Sequence, residues 1–170
     1  MSQEWYAMTQ WGHDEFGLVA SDRGLRRVVL PHQWAPDRQN RAAADPERLK
    51  TWIHAFEDYW AGRLDAWPPG LDMVGTPFQI LVWHALMEIP YATLVTYAEV
   101  ARQIDRPRAV RAVASAIAHN PLPIVVPCHR VVGSNGTLTG YRGGLNLKGR
   151  LLALEGVKCV NPSGHARFRF

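Results

Sequence analysis

The stretch TYAEVARQIDRPRAVRAVASAIAHN, residues 96–120, reads as two short helices and the turn between them. Thr96 and Glu99 stand three apart before an apolar run. That is the spacing of a capping box, in which hydroxyl and carboxylate each satisfy a backbone group the helix leaves open. Val100, Ala101 and Ile104 are the inward positions of the first helix. Asp105-Arg106-Pro107 interrupt it, and a second helix over about 108–119 turns Val110, Val113, Ala114 and Ile117 inward. Two short helices on a tight turn resemble a helix-turn-helix. The rest of the second helix is small or cationic: Ala109, Ala112, Ser115, Ala116 and Ala118 with Arg108 and Arg111. Small residues admit a partner close to the backbone, and arginines suit phosphates and base stacks. Alanine's helix propensity alone explains the alanines equally well.

Toward the N-terminus, Thr76-Pro77-Phe78-Gln79 is another capping box, with proline at the first helical position. Phe78, Leu81, Val82, Leu86 and Ile89 make its expected apolar face, and Pro90 ends it. Before it, Trp67-Pro68-Pro69-Gly70 reads as a linker, placing a domain boundary near 66–75. Leu49, Trp52, Ile53, Phe56 and Trp60 recur at helical spacing behind a cap at Asp45 and a proline at 46, with Gly62 as the stop. Residues 33–44 are polar and alanine-rich, an expected loop. Trp5–Trp11, Phe16–Ser21 and Leu25–Leu30 read as strands of a small antiparallel meander. The expected class is α+β. An N-terminal support domain spans 1–70, a helical domain with winged helix-turn-helix character spans 75–157, and a tail spans 158–170.

The net charge of +4 is unevenly spread. Residues 1–74 hold 8 Lys+Arg against 11 Asp+Glu, and residues 75–170 hold 11 against 4. A half at +7 fits a polyanion, most simply nucleic acid, or a solvated basic face. Seven tryptophans and 47% hydrophobic residues exclude a disordered chain. The longest apolar runs, Phe78–Leu86 and Pro121–Pro127, are too short to span a membrane. The opening MSQEWYAMTQ lacks the pattern of a secretion signal, and two cysteines make no disulfide framework, so a cytoplasmic chain is expected.

Beyond Asn120-Pro121, the apolar run Leu122–Val126 leads into Pro127-Cys128-His129-Arg130-Val131. Thiolate is the reactive form of cysteine, and neighbouring positive charge or a base favours it. The run reads as a rigid strand carrying Cys128. On a strand, adjacent side chains diverge, so His129 needs a bend or a bridging water to serve Cys128. An inert buried cysteine is the plainer reading of Cys128 alone.

Taken together, these residues resemble the O6-alkylguanine-DNA alkyltransferases, also called methylated-DNA–protein-cysteine methyltransferases. Pro127-Cys128-His129-Arg130-Val131 matches the family's active-site signature. Gly75-Thr76-Pro77-Phe78-Gln79, Val82-Trp83, Ile89-Pro90-Tyr91, Thr96-Tyr97, Arg111-Ala112-Val113, Asn120-Pro121, Gly140-Tyr141, Gly143-Gly144 and Lys148 through Glu155 follow in family order. Residues 70–157 match strongly and 1–65 weakly, through Ser21–Leu25 and Tyr59–Gly62.

The resemblance implies a set of roles. Cys128 accepts the alkyl group from guanine O6, His129 acts as base through a water, and Glu155 orients it. Asn120 braces the turn between recognition helix and active-site strand. Tyr97 donates to guanine N3 and helps rotate a phosphate, while Arg111 replaces the extruded base. Ala112, Ser115 and Arg108 complete the DNA-facing set. Tyr141 and the backbone near Arg142 shape the pocket, and the carbonyls of Cys128 and Val131 read the guanine amino group. The implied partner is duplex DNA bearing O6-alkylguanine or O4-alkylthymine, gripped from the minor groove by a monomer, with cooperative binding left open.

Three positions depart from the family's usual residues. Ala92 and Ala114 stand where glycine is frequent, and Arg142 where a small residue is frequent. Ala92 and Ala114 are expected to affect DNA docking only, and Arg142 to narrow alkyl scope or touch a phosphate. No cofactor is expected. No metal is expected either, since His13, His32 and His54 make a poor zinc set and no cysteine precedes Cys128. Cys159 reads as a bystander, and Arg167 and Arg169 as non-specific DNA attraction in the tail. Two competing functions are a binding module, either a transcription factor or a lesion sensor, and a thiol hydrolase using Cys128, His129 and Glu155.

Overall fold

The computed structural model describes residues 2–34 and 41–157. The chain divides between Val74 and Gly75 into two compact units. No helix among the described residues is long and apolar enough to cross a membrane.

In the first unit β1 (Glu4–Trp11), β2 (Asp14–Ser21) and β3 (Gly24–Val29) form the expected antiparallel meander. A fourth strand, β4 (Ala42–Ala44), adds to β1 in parallel, giving the order β3-β2-β1-β4. The sheet is therefore mixed, and the end of the expected 33–44 loop is a strand. Alanines carry little strand signal, so only pairing with β1 reveals them. β2, one of the two inner strands, is buried from Phe16 to Ser21. Helix α1 (Lys50–Trp60) lays Trp52, Phe56, Tyr59 and Trp60 toward the interior. Trp60 stacks on Trp11 at 4.9 Å with planes 2° apart and tilts against Phe16 at 4.9 Å.

Asp45 does not cap α1 itself. Its carboxylate accepts from the Arg48 N–H at 3.0 Å, capping a preceding turn, and the helix proper begins at Lys50. The expected linker is not loose either. Trp67 packs on Phe56 and Tyr59, Leu25 N–H donates to the Gly70 carbonyl at 2.9 Å, and Asp72 N–H donates to the Leu25 carbonyl.

The second unit opens with α2 (Pro77–Met87), begun by the Thr76/Gln79 capping box. Leu81 is exposed at 42%, so the inward face is Val82, Trp83, Ala85 and Leu86 instead. Trp83 donates through its indole N–H to the Ala116 carbonyl at 2.9 Å, tying α2 to a later helix. After the short strand β5 (Val95–Thr96), α3 (Tyr97–Gln103) starts on its capping box of Thr96 and Glu99. α4 (Val110–Ala118) is shorter than expected, and Arg108 lies in the turn before it. Leu122–Val126 forms buried turns rather than a strand. A single 3₁₀ turn follows, Cys128–Arg130. Then β6 (Val131–Val132) pairs in parallel with β5, and α5 (Leu145–Leu154) closes the unit. The expected tail and Cys159 lie outside the described residues.

Candidate active site

Asn120 follows the end of α4 and organises the segment between that helix and Cys128. Its side-chain carbonyl oxygen accepts from Leu122 N–H at 2.9 Å, and its amide donates to the Val126 carbonyl at 2.9 Å. Both halves of one side chain thus close a loop that is almost wholly buried. Inside that loop Ile124 sits at φ 79°, a left-handed conformation that is costly for a β-branched residue. Val126 N–H returns to the Leu122 carbonyl at 2.8 Å and Cys128 N–H to the Val126 carbonyl at 2.7 Å. The nucleophile candidate is therefore held on a tightly wound, fully bonded turn.

Cys128 is 7% exposed. Burial pushes its thiol up, while the Asn120 amide and the cations Lys148 and Arg142 pull it back toward thiolate. Lys148 is fully buried on α5 and donates to the carbonyls of Val131 at 2.5 Å and Thr139 at 2.9 Å. Burial lowers its ammonium to about 8 against the pull of Cys128. The Cys128 carbonyl accepts from Val131 N–H. Each of the two carbonyls expected to read guanine thus has a partner within the protein.

The 3₁₀ turn, unlike a strand, lets His129 and Arg130 reach the same group. His129 Nε2 lies 2.7 Å from Glu155 Oε1. Arg130 grips the same carboxylate with two hydrogen bonds, Nε to Oε2 at 2.9 Å and Nη2 to Oε1 at 3.0 Å. Ala92 N–H adds a further donor to Oε2 at 3.1 Å. Burial alone raises Glu155, but the hydrogen bonds and charges of His129 and Arg130 bring it down to about 2. Burial lowers His129, against Glu155, which raises it.

Tyr97 and Tyr141 face the thiol. The β5–β6 pairing sets the start of α3 beside the segment leaving Cys128, and the Tyr97 hydroxyl lies 3.5 Å from the Thr139 carbonyl. Burial and the nearby Cys128 raise both phenols, Tyr141 most. The Tyr141 hydroxyl is buried with no hydrogen-bond partner among the described residues. Arg142 donates to the Asn120 carbonyl at 3.0 Å, an intramolecular contact at a position expected to meet substrate or phosphate.

The structure thus gathers Asn120, Cys128, His129, Glu155, Tyr97, Tyr141, Arg142 and Val131 into one neighbourhood. Arg111, Ala112 and Ser115 form a separate, solvent-facing set on α4, with Arg108 exposed just before it. In the sequence Arg130 reads only as positive charge beside Cys128, and Lys148 has no role of its own; the structure turns Arg130 onto Glu155 and sets Lys148 under the carbonyls of Val131 and Thr139. Ala92, expected to matter only for DNA docking, is bonded to the Glu155 carboxylate. Among the described residues no group of three or more His, Cys, Asp or Glu could hold a metal. A buried thiol facing cations, with a neutral imidazole oriented by a carboxylate, is equipped for nucleophilic displacement.

Comparison with known proteins gives one consistent result. The family described as 6-O-methylguanine DNA methyltransferase, DNA binding domain, matches residues 77–157. A methylated-DNA–protein-cysteine methyltransferase of Mycolicibacterium paratuberculosis is 55% identical over 138 residues, 81% of this chain and 84% of the relative. The crystal structure of the Mycobacterium tuberculosis O6-methylguanine methyltransferase superposes with a TM-score of 0.82 at 38% identity, covering 95% of this chain and 96% of that one. That of Mycobacterium tuberculosis OGT in complex with DNA gives 0.79 at 38% identity, covering 89% and 91%.

Proposed function

The chain belongs to the methylated-DNA–protein-cysteine methyltransferase family, and from that premise we propose that it repairs DNA by direct alkyl transfer. The substrate is O6-alkylguanine, with O4-alkylthymine as a second lesion, in a duplex. The acceptor is Cys128. A base inside a duplex cannot present its O6 substituent to a thiol on a buried turn, so the nucleotide is extruded. Arg111 fills the vacated stack, while Ala112, Ser115 and Arg108 follow the backbone of the minor groove. Unstacking costs a few kcal/mol, which phosphate contacts and the plugging arginine offset.

In the pocket, the sulfur–carbon bond forms as the carbon–O6 bond breaks. The thiol proton passes through a water to His129, and guanine leaves as its anion and takes up one proton. The Tyr97 hydroxyl donates to guanine N3, and the amide N–H groups near Arg142 meet O6. The thioether has no easy leaving group, so each chain reacts once. Residues 1–70 act as support and 75–157 as the reactive domain, with the winged helix-turn-helix lying in the minor groove. The protein works as a cytoplasmic monomer.

One observation supports this reading above the others: the thiol, the oriented His129–Glu155 pair and the cation Lys148 converge beside a buried phenol that has no hydrogen-bond partner among the described residues. A DNA-binding module has no use for that cluster. Intact-mass measurement after mixing with an O6-methylguanine duplex tests it. One methyl per chain on Cys128, absent from Cys128→Ala, is the expected result. A wild-type chain that leaves the lesion intact overturns it, and repeated turnover on an ester marks a hydrolase instead.

A further inference from the structure

Arg130 is only 7% exposed, although its side chain carries five donor hydrogens and a permanent charge. Burying such a group is costly unless every bond is made in good geometry. Here they are largely made. Nε and Nη2 hold the two oxygens of Glu155, and Nη1 donates to the Ile89 carbonyl at 2.6 Å. The guanidinium also lies 5.6 Å from the centre of the Tyr91 ring. The carboxylate it grips is the one that His129 uses. Nothing in the transfer chemistry requires Arg130 to touch guanine, the alkyl group or the thiol.

A His–carboxylate pair isolated in a protein interior tends to become an ion pair, because the carboxylate stabilises imidazolium. An imidazolium cannot accept the thiol proton. A second cation on the same carboxylate reduces that pull and fixes where the oxygens point. We propose that Arg130 is a positioning residue for alkyl transfer: its two-pronged grip holds Glu155 in place against His129 and keeps the imidazole a neutral base. This rests on the proposed function and adds a part to it.

The groups facing His129 pull in opposite directions. Glu155, at the end of α5, favours imidazolium; Arg130 beside it and Lys148 on α5 oppose it. Cys128 neighbours it on the same turn. Removing the Arg130 charge leaves the pull of Glu155 on His129 less opposed, with Lys148 still counter to it, so the imidazole becomes easier to protonate. Lysine at this position restores charge but not the fork, because an ammonium is a point donor.

The test is the pH profile of the single-turnover rate of methyl transfer in Arg130→Lys and Arg130→Met, with His129 followed by NMR. In the Met variant the acid limb moves to higher pH by about one unit, so that the rate on that limb falls about tenfold at a given pH. It recovers on the alkaline side, and affinity for unmodified duplex stays unchanged. The Lys variant lies between it and the wild type. A variant profile that superposes on the wild type overturns the proposal, as does one lowered equally at every pH. Should the Met variant not fold, the Lys variant and the wild-type His129 titration decide. A wild-type imidazole that protonates at or above its ordinary value also overturns the proposal. A wild-type chain that transfers nothing overturns the proposed function instead, and the NMR titrations then judge the coupling by themselves.

Discussion

The two units of the chain bury different things. The first buries aromatic bulk: Phe16 and Phe56 are fully enclosed and Tyr59 nearly so, with Trp11, Trp60 and Trp67 packed around them. Its one buried carboxylate among the described residues, Asp72, is served by the Ser21 hydroxyl at 2.6 Å and by Arg26 and Arg23, the last 71% exposed. The second unit buries ionisable groups: His129, Arg130, Lys148 and Glu155 are all under a tenth exposed. Aromatic burial stabilises directly, at about 25 cal/mol per Å². Ionic burial seldom repays its desolvation. A unit that keeps four such groups inside gives up stability for chemistry, and perturbed ionisation clusters where chemistry is done.

The largest expected effect separates function from fold within the second unit. Cys128→Ala abolishes alkyl transfer outright, while binding to the lesion duplex is retained and the melting temperature stays within a few degrees of wild type. Retained transfer would move the acceptor elsewhere. Glu155→Ala removes the anion that three groups share and strands a buried guanidinium. Loss of roughly 3–5 kcal/mol is expected in denaturant unfolding, together with loss of transfer. Asp72→Ala in the first unit leaves cations that can turn to solvent. Its expected cost is lower, about 1–3 kcal/mol, with the transfer rate unchanged. Equal costs would erase the contrast between the units.

How far the sequence disclosed this contrast depends on the range of the interactions. Both capping boxes, at Thr76 and Thr96, are local devices and are readable at sight. So are the strands of the meander and the nucleophile, whose neighbours in the chain mark it. β4 is not, because three alanines become a strand only by lying beside β1. Nor is the 3₁₀ turn under Cys128: an apolar run ending in Pro127 has the pattern of a strand, and it is the Asn120 clamp that coils it. Arg130 and Lys148 look like surface residues until the partners that satisfy them, from Ile89 to Glu155, are brought into contact. Long-range polar satisfaction leaves no local pattern.

Acid sharpens the comparison at intermediate magnitude. Glu155 is held down near 2, so the stability it contributes is present above its unfolded value and is lost as pH falls toward 2. His129 is lowered in the folded state, so protonation of the unfolded chain begins first, and stability falls as pH drops below the ordinary histidine value. Both groups act in the same direction. The second unit should therefore begin to lose hydrogen-exchange protection near the ordinary histidine range, about pH 6, and lose it steadily with further acid. Asp72, also lowered, engages only nearer the carboxylate range. Protection lost in the first unit before the second would contradict the assignment of the ionic burden.

The smallest effect contrasts two left-handed positions, one in each unit. Gly24 has φ 134° and approaches Gly70 so closely that a Cβ there would lie 2.1 Å from the carbonyl oxygen. Only glycine fits, and Gly24→Ala should disrupt the junction of β3 with residues 70–72. Ala92 has φ 58° and is exposed, so its left-handed backbone is a cost without a steric excuse, of the order of 1 kcal/mol. What holds it there is the N–H aimed at Glu155. Ala92→Gly keeps that N–H and relieves the strain, while giving the unfolded chain more freedom. A net gain of about 0.5 kcal/mol is expected, with no change in the pH profile of transfer. A slowed transfer would mean that the alanine methyl stiffens the turn that presents the N–H. The backbone cost at Ala92 would then belong to the working of the buried carboxylate and not merely to its support.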